Sequence, residues 1–482
     1  MADFAAVKDK LQAHGQEHVL RFFDQLDGAG QKAFLDQLDS LDLDMLDSAI
    51  AEYVLQTPQV EISGQIEPAP VVPFAASDAK GVEEKESARK RGEQLIAEGK
   101  VGAFVVAGGQ GTRLGYNGPK GCLESTPVVK KPLFRIFAEQ IMAASKRHRV
   151  RIPWYIMTSA ANDVATKAHF RQNDYWGMNP KDVFFLTQDM MPAIGLDGKL
   201  LLGGKGQLAM SPNGHGGSLL ALRTSGAIDD MASRGVEFIS YFQVDNPLVR
   251  CIDPVFLGVH EMRNAQMSAK ALPKRDPMEK LGNFCLVGGK TTVIEYSDMP
   301  EELARQTTSD GRLRFGAGSI AIHVLNRQFV EQLTEGGKCL LPWHRAQKVV
   351  PFINEAGELV KPDKPNAVKL EMFVFDALPL ASETVLLETL RSEEFSPIKN
   401  ANGADSLATS LYDQVRRWAV WLEKAGIKVP RDADGSVSAA IEISPLFADS
   451  AEELAAKVDK KMTISSGQSF YLGSRGQIGG SR

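Results

Sequence analysis

The 482-residue chain lacks most features of secreted, membrane-bound and metal-scaffolded proteins. It has only four cysteines, Cys122, Cys251, Cys285 and Cys339, and no Cys-x-x-Cys pair. This spacing argues against a disulfide framework and a zinc site, and it fits a reducing compartment. No segment approaches the roughly 18 consecutive apolar residues of a membrane-spanning helix. Because the first residues also lack a basic and an apolar region, we expect a cytoplasmic protein without membrane contact.

An excess of basic charge is also missing. The chain has 55 Lys and Arg against 60 Asp and Glu, a formal net charge of −5. This balance argues against a nucleic-acid partner. It does not exclude an anionic small substrate, because a few basic side chains focused in a cleft set the local field. With 43% apolar and 24% charged residues the chain is typical of globular proteins, and its length predicts about two to four compact units.

Glycines are concentrated in one part of the chain, after residue 107. The apolar segment Val101–Ala107 is rich in valine and predicts a strand buried on both faces. A turn containing Gly108, Gly109 and Gly111 follows it. Glycines permit positive φ and a close approach to a ligand, so that successive N–H groups can point at phosphate oxygens. The pattern therefore predicts a phosphate-binding loop.

Two basic side chains, Arg113 and Lys120, accompany the glycine turn and add positive charge beside it. The dinucleotide fingerprint G-x-G-x-x-G fails, because Leu114 stands where the third glycine belongs. The Walker sequence fails as well, because Pro119 separates Gly118 from Lys120. A tight turn without a ligand is the alternative. The density of glycines beside an Arg and a Lys favours phosphate binding.

These residues resemble a known family. Gly108–Gly115 followed by Pro119–Gly121 is similar to the nucleotide-binding signature of eukaryotic-type UDP-sugar pyrophosphorylases, above all the UDP-N-acetylhexosamine branch. Further similar segments extend from about Gln16 to Leu446. The resemblance implies an α/β fold of the Rossmann-like, glycosyltransferase-A-like nucleotidyltransferase type. We expect a mixed sheet flanked by helices, a helical N-terminal region and a small α+β C-terminal domain.

The sequence pattern predicts three consecutive domains. Residues 1–98 are expected to form a helical region with a proline-rich connector. Residues 99–383 alternate strands with helices and predict the catalytic domain, with a largely parallel sheet. Residues 384–482 predict a C-terminal domain with a flexible glycine-rich tail. Within the first domain, the charged stretch 82–99 predicts a solvated helix, and His18 is expected on a helix surface.

The resemblance also implies which residues bind the nucleotide. It assigns the nucleotide contacts to Ala107, Gly108, Gly109, Gly111, Thr112, Gln188, Gly214, Asp245 and Lys369. Gln188 is expected to recognise uracil. Arg113, Lys120 and Lys399 are the expected catalytic residues: the first two bind the phosphates of UTP and the departing pyrophosphate. Lys399 then steers the incoming sugar phosphate.

Asp245 directly follows the apolar segment Phe238–Val244. In α/β sheets the ligand crevice lies outside the carboxyl ends of the strands, so this carboxylate is expected to face the crevice. One carboxylate together with substrate phosphates suits Mg²⁺. On spacing alone, an Asp that caps the next turn is an equal alternative. The match of Val244-Asp245-Asn246 with a family motif favours Mg²⁺ as the cofactor, with Asp245 as its ligand.

The sugar contacts implied by the resemblance leave the sugar open. They fall on His215, Gly282, Glu295, Ser319 and Lys399. The acetylhexosamine branch is expected to have Asn at positions 215 and 319, whereas His at 215 is typical of UDP-glucose and broad UDP-sugar pyrophosphorylases. On the residues alone, His215 between glycines is a simple turn, and Glu295 and Ser319 are ordinary surface or turn residues. The overall resemblance favours an acetylated sugar, and these two positions favour glucose or galactose.

The expected reaction converts UTP and a hexose 1-phosphate into a UDP-sugar and pyrophosphate. N-acetylglucosamine 1-phosphate is the expected acceptor, with a glucose 1-phosphate or broad-specificity enzyme as the alternative. A different class, an inactive nucleotide-sugar-binding protein, is disfavoured because Arg113, Lys120, Asp245 and Lys399 occur together. A dinucleotide-dependent oxidoreductase fails on the glycine spacing. A monomer or a weak homo-oligomer is expected.

Overall fold

The computed structural model describes residues 3–56, 64–75 and 78–474, with the backbone of 476–477. Part of the predicted proline-rich connector and most of the predicted flexible tail lie outside these residues. The helices are α1 Phe4–Ala13, α2 Gly28–Asp39, α3 Leu43–Ala49, α4 Ala79–Ala97, α5 Leu133–His148, α6 Asp163–Gln172, α7 Gly217–Thr224, α8 Ala227–Ser233, α9 Pro254–Met262, α10 Glu301–Ala304, α11 Arg327–Leu333, α12 Arg391–Glu394, α13 Leu407–Lys424 and α14 Ala451–Lys457. None of the described helices is both long and apolar enough to cross a bilayer.

The strands are mostly short. They are β1 Ile66–Pro68, β2 Val101–Val106, β3 Trp154–Thr158, β4 Val183–Thr187, β5 Met190–Pro192, β6 Ile194–Gly195, β7 Leu202–Gly204, β8 Gln207–Leu208, β9 Met210–Pro212, β10 Phe238–Gln243, β11 Met267–Pro273, β12 Asn283–Val287, β13 Lys290–Ile294, β14 Ala317–Asn326, β15 His344–Lys348, β16 Phe352–Ile353, β17 Leu359–Val360, β18 Ala367–Glu371, β19 Thr384–Glu388, β20 Ala440–Ile443, β21 Ser469–Gly473 and β22 Gly476–Gln477. The predicted buried strand before the glycine turn is β2.

The chain folds into two compact units, each built from segments that are distant in sequence. The first unit contains Met1–Ile62, Gln188–Leu219 and Cys339–Asp376. The second contains Ser63–Thr187, Leu220–Lys338 and Ala377–Arg482. Both units are discontinuous in sequence, unlike the three consecutive domains that the sequence predicts. The boundaries of those domains stay a prediction.

In the first unit the N-terminal helices share one core with later segments. Val7 of α1 and Phe34 of α2 are buried in the same cluster as Ile194 and Leu370. The small sheet of this unit has the order β15-β18-β6, and all its pairs are antiparallel. The N-terminal helices are therefore an integral part of this unit.

Polar contacts from the turn after α1 fix the same association. Gln16 is buried, its side-chain amide donates to the carbonyl of Gly198 at 3.0 Å, and its oxygen accepts the N–H of Leu200 at 2.9 Å. The Nε2 atom of His18 lies 2.8 Å from the Leu200 carbonyl oxygen. The prediction of a surface histidine is wrong, because His18 is half-buried and holds this turn.

The second unit is built on a ten-stranded sheet with the main order β1-β12-β14-β10-β2-β3-β4. β10, β2, β3 and β4 pair in parallel, whereas β14 runs antiparallel to β10, β11 and β12. The expected mixed sheet flanked by helices is confirmed. In the described part of the sheet beyond β10 only β11 and β19 pair in parallel, and the prediction of a largely parallel sheet is wrong there, because β14 runs antiparallel to three strands and β12 and β13 form a hairpin. Its turn is made by Gly288 and Gly289, both at positive φ, as such two-residue turns require.

Helix α4 buries one face, although its charged sequence predicted a solvated helix. A Cβ atom added to Gly92 would lie 1.8 Å from the carbonyl oxygen of Pro254. A Cβ atom added to Gly258 would lie 1.8 Å from the carbonyl oxygen of Ala88. The two glycines therefore let the backbones of α4 and α9 touch, and the solvated-helix prediction is right for the opposite face alone.

The C-terminal part of the second unit has a core of its own. Trp418 and Leu422 of α13 pack in one buried cluster with Ile441 of β20 and Phe470 of β21. Helix α13 begins at a capping box in which the Ser406 hydroxyl accepts the N–H of Thr409. β20 and β21 pair in parallel beside this helix. The arrangement matches the small α+β domain expected at this end of the chain.

Candidate active site

The glycine loop follows strand β2 and is held by its carbonyl groups. The side-chain amide of Asn162 donates to the carbonyls of Ala107 and Gly109, at 3.0 and 3.2 Å. The hydroxyl of Ser159 donates to the carbonyl of Gly108 at 2.8 Å. The segment that follows β3 thereby fixes three successive carbonyl groups of the loop. Neither residue is predicted by the sequence, because nothing near them in the chain indicates this role.

The amide groups of the same loop are left unused. The N–H groups of Gly108, Gly109 and Gln110 donate no hydrogen bond to any residue that the structure describes. Unpaired backbone amides carry partial positive charge, which suits the oxygens of a phosphate. These amides are therefore available to a ligand, and phosphate binding by the loop stays a prediction.

Positive φ is not the main reason for the glycines in this loop. Gly111 has a φ of −82°, and a Cβ atom there would lie 2.7 Å from the Tyr116 ring. At Gly109 a Cβ atom would meet nothing within 4 Å, so no described part of the protein requires glycine at this position. Gly115 alone of these three adopts a left-handed φ, of 73°. Gly109 and Gly111 thus make no use of the positive φ that glycine permits.

The second turn brings Lys120 against the loop. The backbone N–H of Lys120 donates to the carbonyl of Gly109 at 3.1 Å, and the N–H of Gly111 donates to the carbonyl of Gly118 at 2.9 Å. Lys120 is half-buried, while Arg113, in the short turn Thr112–Leu114, is exposed. Neither side chain has a hydrogen bond or an ion pair with a described residue. Both positive charges are therefore available to a ligand of the loop.

Asp245 emerges beside the glycine loop because β10 and β2 are parallel neighbours. The N–H of Val244 donates to the carbonyl of Val106 at 3.1 Å, which aligns the ends of the two strands. Asp245 is half-buried, and its carboxylate accepts no hydrogen bond from the described residues. A single carboxylate with unused oxygens beside a phosphate cradle fits a Mg²⁺ ion that also takes phosphate oxygens.

The segment that carries Lys399 is attached to the same strand end. The N–H of Ile398 donates to the carbonyl of Asp245 at 2.8 Å. Asn246 donates to the carbonyl of Glu394 at 2.6 Å and accepts the N–H of Ser396 at 3.1 Å. Asp245 and Asn246, which follow β10, thus fix the backbone that leads to Lys399. The side chain of Lys399 is exposed. Asn246 is a positioning residue to which the sequence assigned no role.

Three of the expected sugar contacts lie together in the second unit. The N–H of Ser319 donates to the carbonyl of Gly282 at 2.8 Å. A Cβ atom added to Gly282 would lie 3.4 Å from a carboxylate oxygen of Glu295, because the strands β12 and β13 pair at this point. Lys274 lies beside them and donates to Asn283 at 2.9 Å. Burial lowers the pKa of Lys274, a residue to which the sequence motifs assign no role.

In the first unit, Gln188 and Gly214 are direct neighbours. The side-chain amide of Gln188 donates to the carbonyl of Gly214 at 2.6 Å and to the oxygen of Asn213 at 3.1 Å. Gly214 has a φ of 84°, and a Cβ atom there would lie 2.3 Å from the carbonyl oxygen of Met372. Lys369 lies half-buried on β18 of the same unit. The oxygen of the Gln188 amide keeps its acceptor capacity.

His215 is held in one orientation and kept neutral. Its Nδ1 atom accepts the N–H of Val374 at 3.1 Å, and its ring stacks on Phe373 with centroids 5.2 Å apart. Burial, with His344 nearby, lowers the pKa of His215 to about 4. Because Nδ1 is an acceptor, the proton of the neutral ring is on Nε2. The imidazole can therefore donate one hydrogen bond to a neutral oxygen over the whole physiological pH range.

Known proteins resemble the chain over nearly its whole length. Residues 50–428 match the family model described as UTP–glucose-1-phosphate uridylyltransferase. The chain is 37% identical to UDP-N-acetylhexosamine pyrophosphorylase-like protein 1 of Homo sapiens, over 94% of each chain. It is 35% identical to UDP-N-acetylglucosamine diphosphorylase 2 of Arabidopsis thaliana, over 94% of this chain and 91% of that one. The crystal structure of the uridine diphosphate N-acetylglucosamine pyrophosphorylase from Trypanosoma brucei has a TM-score of 0.79 and 25% identity, over 95% of each chain.

Proposed function

The chain belongs to the UTP–glucose-1-phosphate uridylyltransferase family, and on that basis we propose that it is a UDP-sugar pyrophosphorylase. The proposed reaction joins the uridylyl group of UTP to N-acetylglucosamine 1-phosphate and releases pyrophosphate. The observation that carries the proposal is the glycine loop, with its unused amides beside Lys120 and Arg113. The names of the relatives at 37% and 35% identity support the acetylated sugar.

The proposed chemistry needs charge rather than a general base. The second pKa of a phosphate monoester is about 6, so the attacking oxygen of the sugar phosphate is already largely ionised near neutral pH. Two polyanions must then approach each other, and pyrophosphate must leave with additional negative charge. Positioning and electrostatic stabilisation dominate such transfers. We assign Arg113 and Lys120, with the loop amides, to the triphosphate and the leaving pyrophosphate, and Lys369 and Lys399 to the phosphates of the two substrates.

Asp245 is the proposed ligand of Mg²⁺. The ion would supply positive charge that neutralises phosphate oxygens, and its remaining ligands would come from substrate and water. Within the part of the chain that is described, no group of three His, Cys, Asp or Glu side chains is placed to hold a metal. A site of one carboxylate and substrate phosphates is consistent with that finding.

Gln188 is the proposed reader of the base. Its amide nitrogen is engaged with Asn213 and the Gly214 carbonyl, which fixes the orientation of the amide group. The oxygen is then free to accept the N3–H of uracil, a donor that cytosine lacks. A fixed acceptor of this kind rejects bases without a donor at that position.

The acceptor sugar is where family and relatives differ. The family description names glucose 1-phosphate, whereas the relatives are named for N-acetylated sugars. We propose that His215, through Nε2–H, and the group of Gly282, Glu295 and Ser319 contact the sugar. A UTP–glucose-1-phosphate uridylyltransferase is the second candidate, since position 215 has the His typical of those enzymes.

The experiment that tests the function is pyrophosphate release from UTP and Mg²⁺, with N-acetylglucosamine 1-phosphate and glucose 1-phosphate side by side. We expect the acetylated sugar to give the higher kcat/KM. His215→Asn and Ser319→Asn are the informative variants, because they install the side chains of the acetylhexosamine branch, and each should increase that preference. A preference for glucose 1-phosphate in the wild type would select the second candidate. Binding of UTP without release from any sugar phosphate would reduce the chain to a nucleotide-binding protein.

A substitution in the glycine loop separates nucleotide binding from folding. Gly109→Ala should leave the thermal midpoint unchanged, because a Cβ atom there meets no described atom within 4 Å. If the phosphates approach the loop at this residue, the added Cβ atom keeps them away from the amides. UTP binding should then weaken by about tenfold or more, the equivalent of one lost hydrogen bond to a charged group. Calorimetric titration with UTP and a thermal scan measure the two effects.

Gly111→Ala is the matched control for this prediction. Its Cβ atom would lie 2.7 Å from the ring and 2.9 Å from the carbonyl oxygen of Tyr116, so the thermal midpoint should fall. Unchanged UTP affinity in Gly109→Ala would show that the phosphates do not approach the loop at this residue.

A further inference from the structure

Two segments that carry proposed contacts to the acceptor leave the large sheet side by side. β11 and β19 pair in parallel, and the N–H of Thr389 donates to the carbonyl of Ala271 at 2.9 Å, which extends the pairing to the ends of both strands. The loop 274–282 follows β11 and ends at Gly282, whereas the chain after β19 continues through α12 to Lys399. The proposed contacts to the sugar and to its phosphate therefore lie on neighbouring segments.

An ion pair ties these two segments together beyond the sheet. Arg391, the first residue of α12, donates through Nη2 to one carboxylate oxygen of Glu279 in the loop. The other oxygen of Glu279 accepts the backbone N–H of Arg275 at 2.8 Å. The side chains of Arg391 and Glu279 are 16% and 17% accessible, so solvent and salt screen their attraction less than that of an exposed pair. The Glu279 carboxylate thus closes the turn of the loop and also binds the loop to α12.

Arg391 also contacts the aromatic ring on which Lys399 rests. The guanidinium carbon of Arg391 lies 5.3 Å from the ring centre of Phe395, and Nζ of Lys399 lies 5.9 Å from the same centre. Phe395 is buried, so its ring is a fixed surface for both cations. The pairing of Arg391 with the loop therefore reaches the surroundings of the Lys399 ammonium through a single side chain.

The loop is braced from within at its sugar end. Nζ of Lys274 donates to the carbonyl of Pro277 at 3.1 Å and to the side-chain oxygen of Asn283 at 2.9 Å. Asn283 directly follows Gly282, and its side-chain amide donates to the carbonyl of Ile294 at 3.2 Å. A displacement of the loop is therefore transmitted to Gly282 rather than absorbed between the two.

We infer that Glu279 and Arg391 are positioning residues of the acceptor site, a step that rests on the proposed function. Their ion pair sets the spacing between Gly282, on the sugar side, and Lys399, on the phosphate side. In a hexose 1-phosphate the ring and the phosphate are joined by one ester oxygen, so both contacts form together at one spacing. Both residues act through the segments that they join. Spacing matters because a misplacement of about 1 Å can cost about 10²-fold in rate.

The kinetic test removes one charge of the pair at a time. Glu279→Gln keeps the size of the side chain and an acceptor for the Arg275 N–H, and Arg391→Gln removes the guanidinium. In each variant we expect kcat/KM for the sugar 1-phosphate to fall about ten- to a hundredfold. Calorimetric titration should give a Kd for UTP within about twofold of the wild-type value, because the pair lies on the acceptor segments. Equal losses in UTP binding and in kcat/KM for the acceptor would indicate a general structural defect and overturn the proposal.

The double variant tests whether the two residues act as one unit. Glu279→Gln combined with Arg391→Gln should lose little more than the weaker single variant, because the second substitution breaks an ion pair that is already gone. Losses that multiply would show two independent roles and would contradict the proposal. Glu301→Gln is the control, since it removes the same charge from an exposed ion pair with Arg305 in the same unit and should retain wild-type kcat/KM.

Hydrogen exchange tests the hold on the loop without any turnover. We expect the amides of the loop 274–282 to exchange about fivefold faster in Arg391→Gln than in the wild type, the equivalent of one lost ion-paired hydrogen bond. Exchange in α13 should stay unchanged and serves as the internal reference. Unchanged exchange in the loop would overturn the positioning role. Absence of turnover with every sugar phosphate in the wild type would count against the proposed function, while the exchange rates would still decide whether the ion pair holds the loop.

Discussion

Lys120→Ala is expected to lower kcat by about 10²–10³-fold, as the loss of one preorganised charge at a reacting oxyanion does. The structure supports a purely catalytic effect. The backbone N–H of Lys120 that holds the two turns together remains in the alanine variant, and its side chain makes no bond with the described residues. The thermal midpoint should therefore stay within about a degree or two, since a change of 1 kcal/mol shifts it by only about 2–4 °C in chains of 150–250 residues. Steady-state measurement of pyrophosphate release at saturating substrates gives kcat.

A matched control removes a lysine without a role. Lys146→Ala, on the exposed last turn of α5, changes the net charge equally and should retain wild-type kcat. Arg113→Ala should resemble Lys120→Ala, because its guanidinium is equally unpaired. Wild-type turnover in both loop variants would show that the triphosphate does not lie in this cradle.

The largest loss of stability is expected from Lys270→Met, at about 3–5 kcal/mol. Lys270 is buried, with 1% of its side chain accessible, and it donates to Asp253 at 2.6 Å and to both oxygens of Glu394. Thr389 also donates to Glu394. Removing the ammonium leaves two buried carboxylates without the cation that they share, and one must take up a proton or draw in water. Chemical unfolding of the variant and the wild type measures the difference.

The pH dependence distinguishes this cause from a loss of packing. Burial alone would raise the pKa of Asp253, but Lys270 and Arg250 hold it well below its usual range. In the wild type this group stabilises the fold above the unfolded carboxyl pKa, near 3.9, and the contribution is lost as the pH falls below it. In Lys270→Met the folded pKa rises above the unfolded one, so protonation restores stability. The deficit should therefore be larger at pH 8 than at pH 5, whereas a packing defect would not depend on pH.

The control for this variant is an exposed ion pair in the same unit. Lys80→Met removes an ion pair in which Nζ of Lys80 lies 3.8 Å from a carboxylate oxygen of Glu84. The side chains of Lys80 and Glu84 are 83% and 55% accessible. The expected change is below about 0.5 kcal/mol. A deficit in Lys270→Met as small as this one would mean that the buried carboxylates are already hydrated.

How much the sequence predicted depended on whether the signal was local. The glycine loop, Lys120 and the strand before Asp245 are contiguous patterns, and the structure places all of them together. Asn162 and Ser159 escaped prediction because they reach the loop only through the pairing of β2 with β3, about fifty positions away in the chain. The residue types are ordinary, and no motif separates them from other polar residues of a turn.

Lys270 escaped prediction for a different physical reason. A lysine between two alanines in a strand indicates a solvent-facing position by alternation, but β11 is covered on both faces. Whether a charge is buried there depends on Asp253 and Glu394, which come from other parts of the chain. The sequence also did not predict which segments form each unit, because each unit joins three segments that only the folded chain brings together.

The contact between α4 and α9 has a consequence for how the sequence can change over evolutionary time. When two side chains touch, a larger residue on one element is often rescued by a smaller one on the other. Gly92 and Gly258 each face a carbonyl group, and every residue type presents the same carbonyl. No second-site substitution at Pro254 or Ala88 can therefore compensate for a side chain at either glycine. We expect suppressor selections started from Gly92→Ala or Gly258→Ala to return reversions or distant stabilising changes, never a replacement at the residue that is touched.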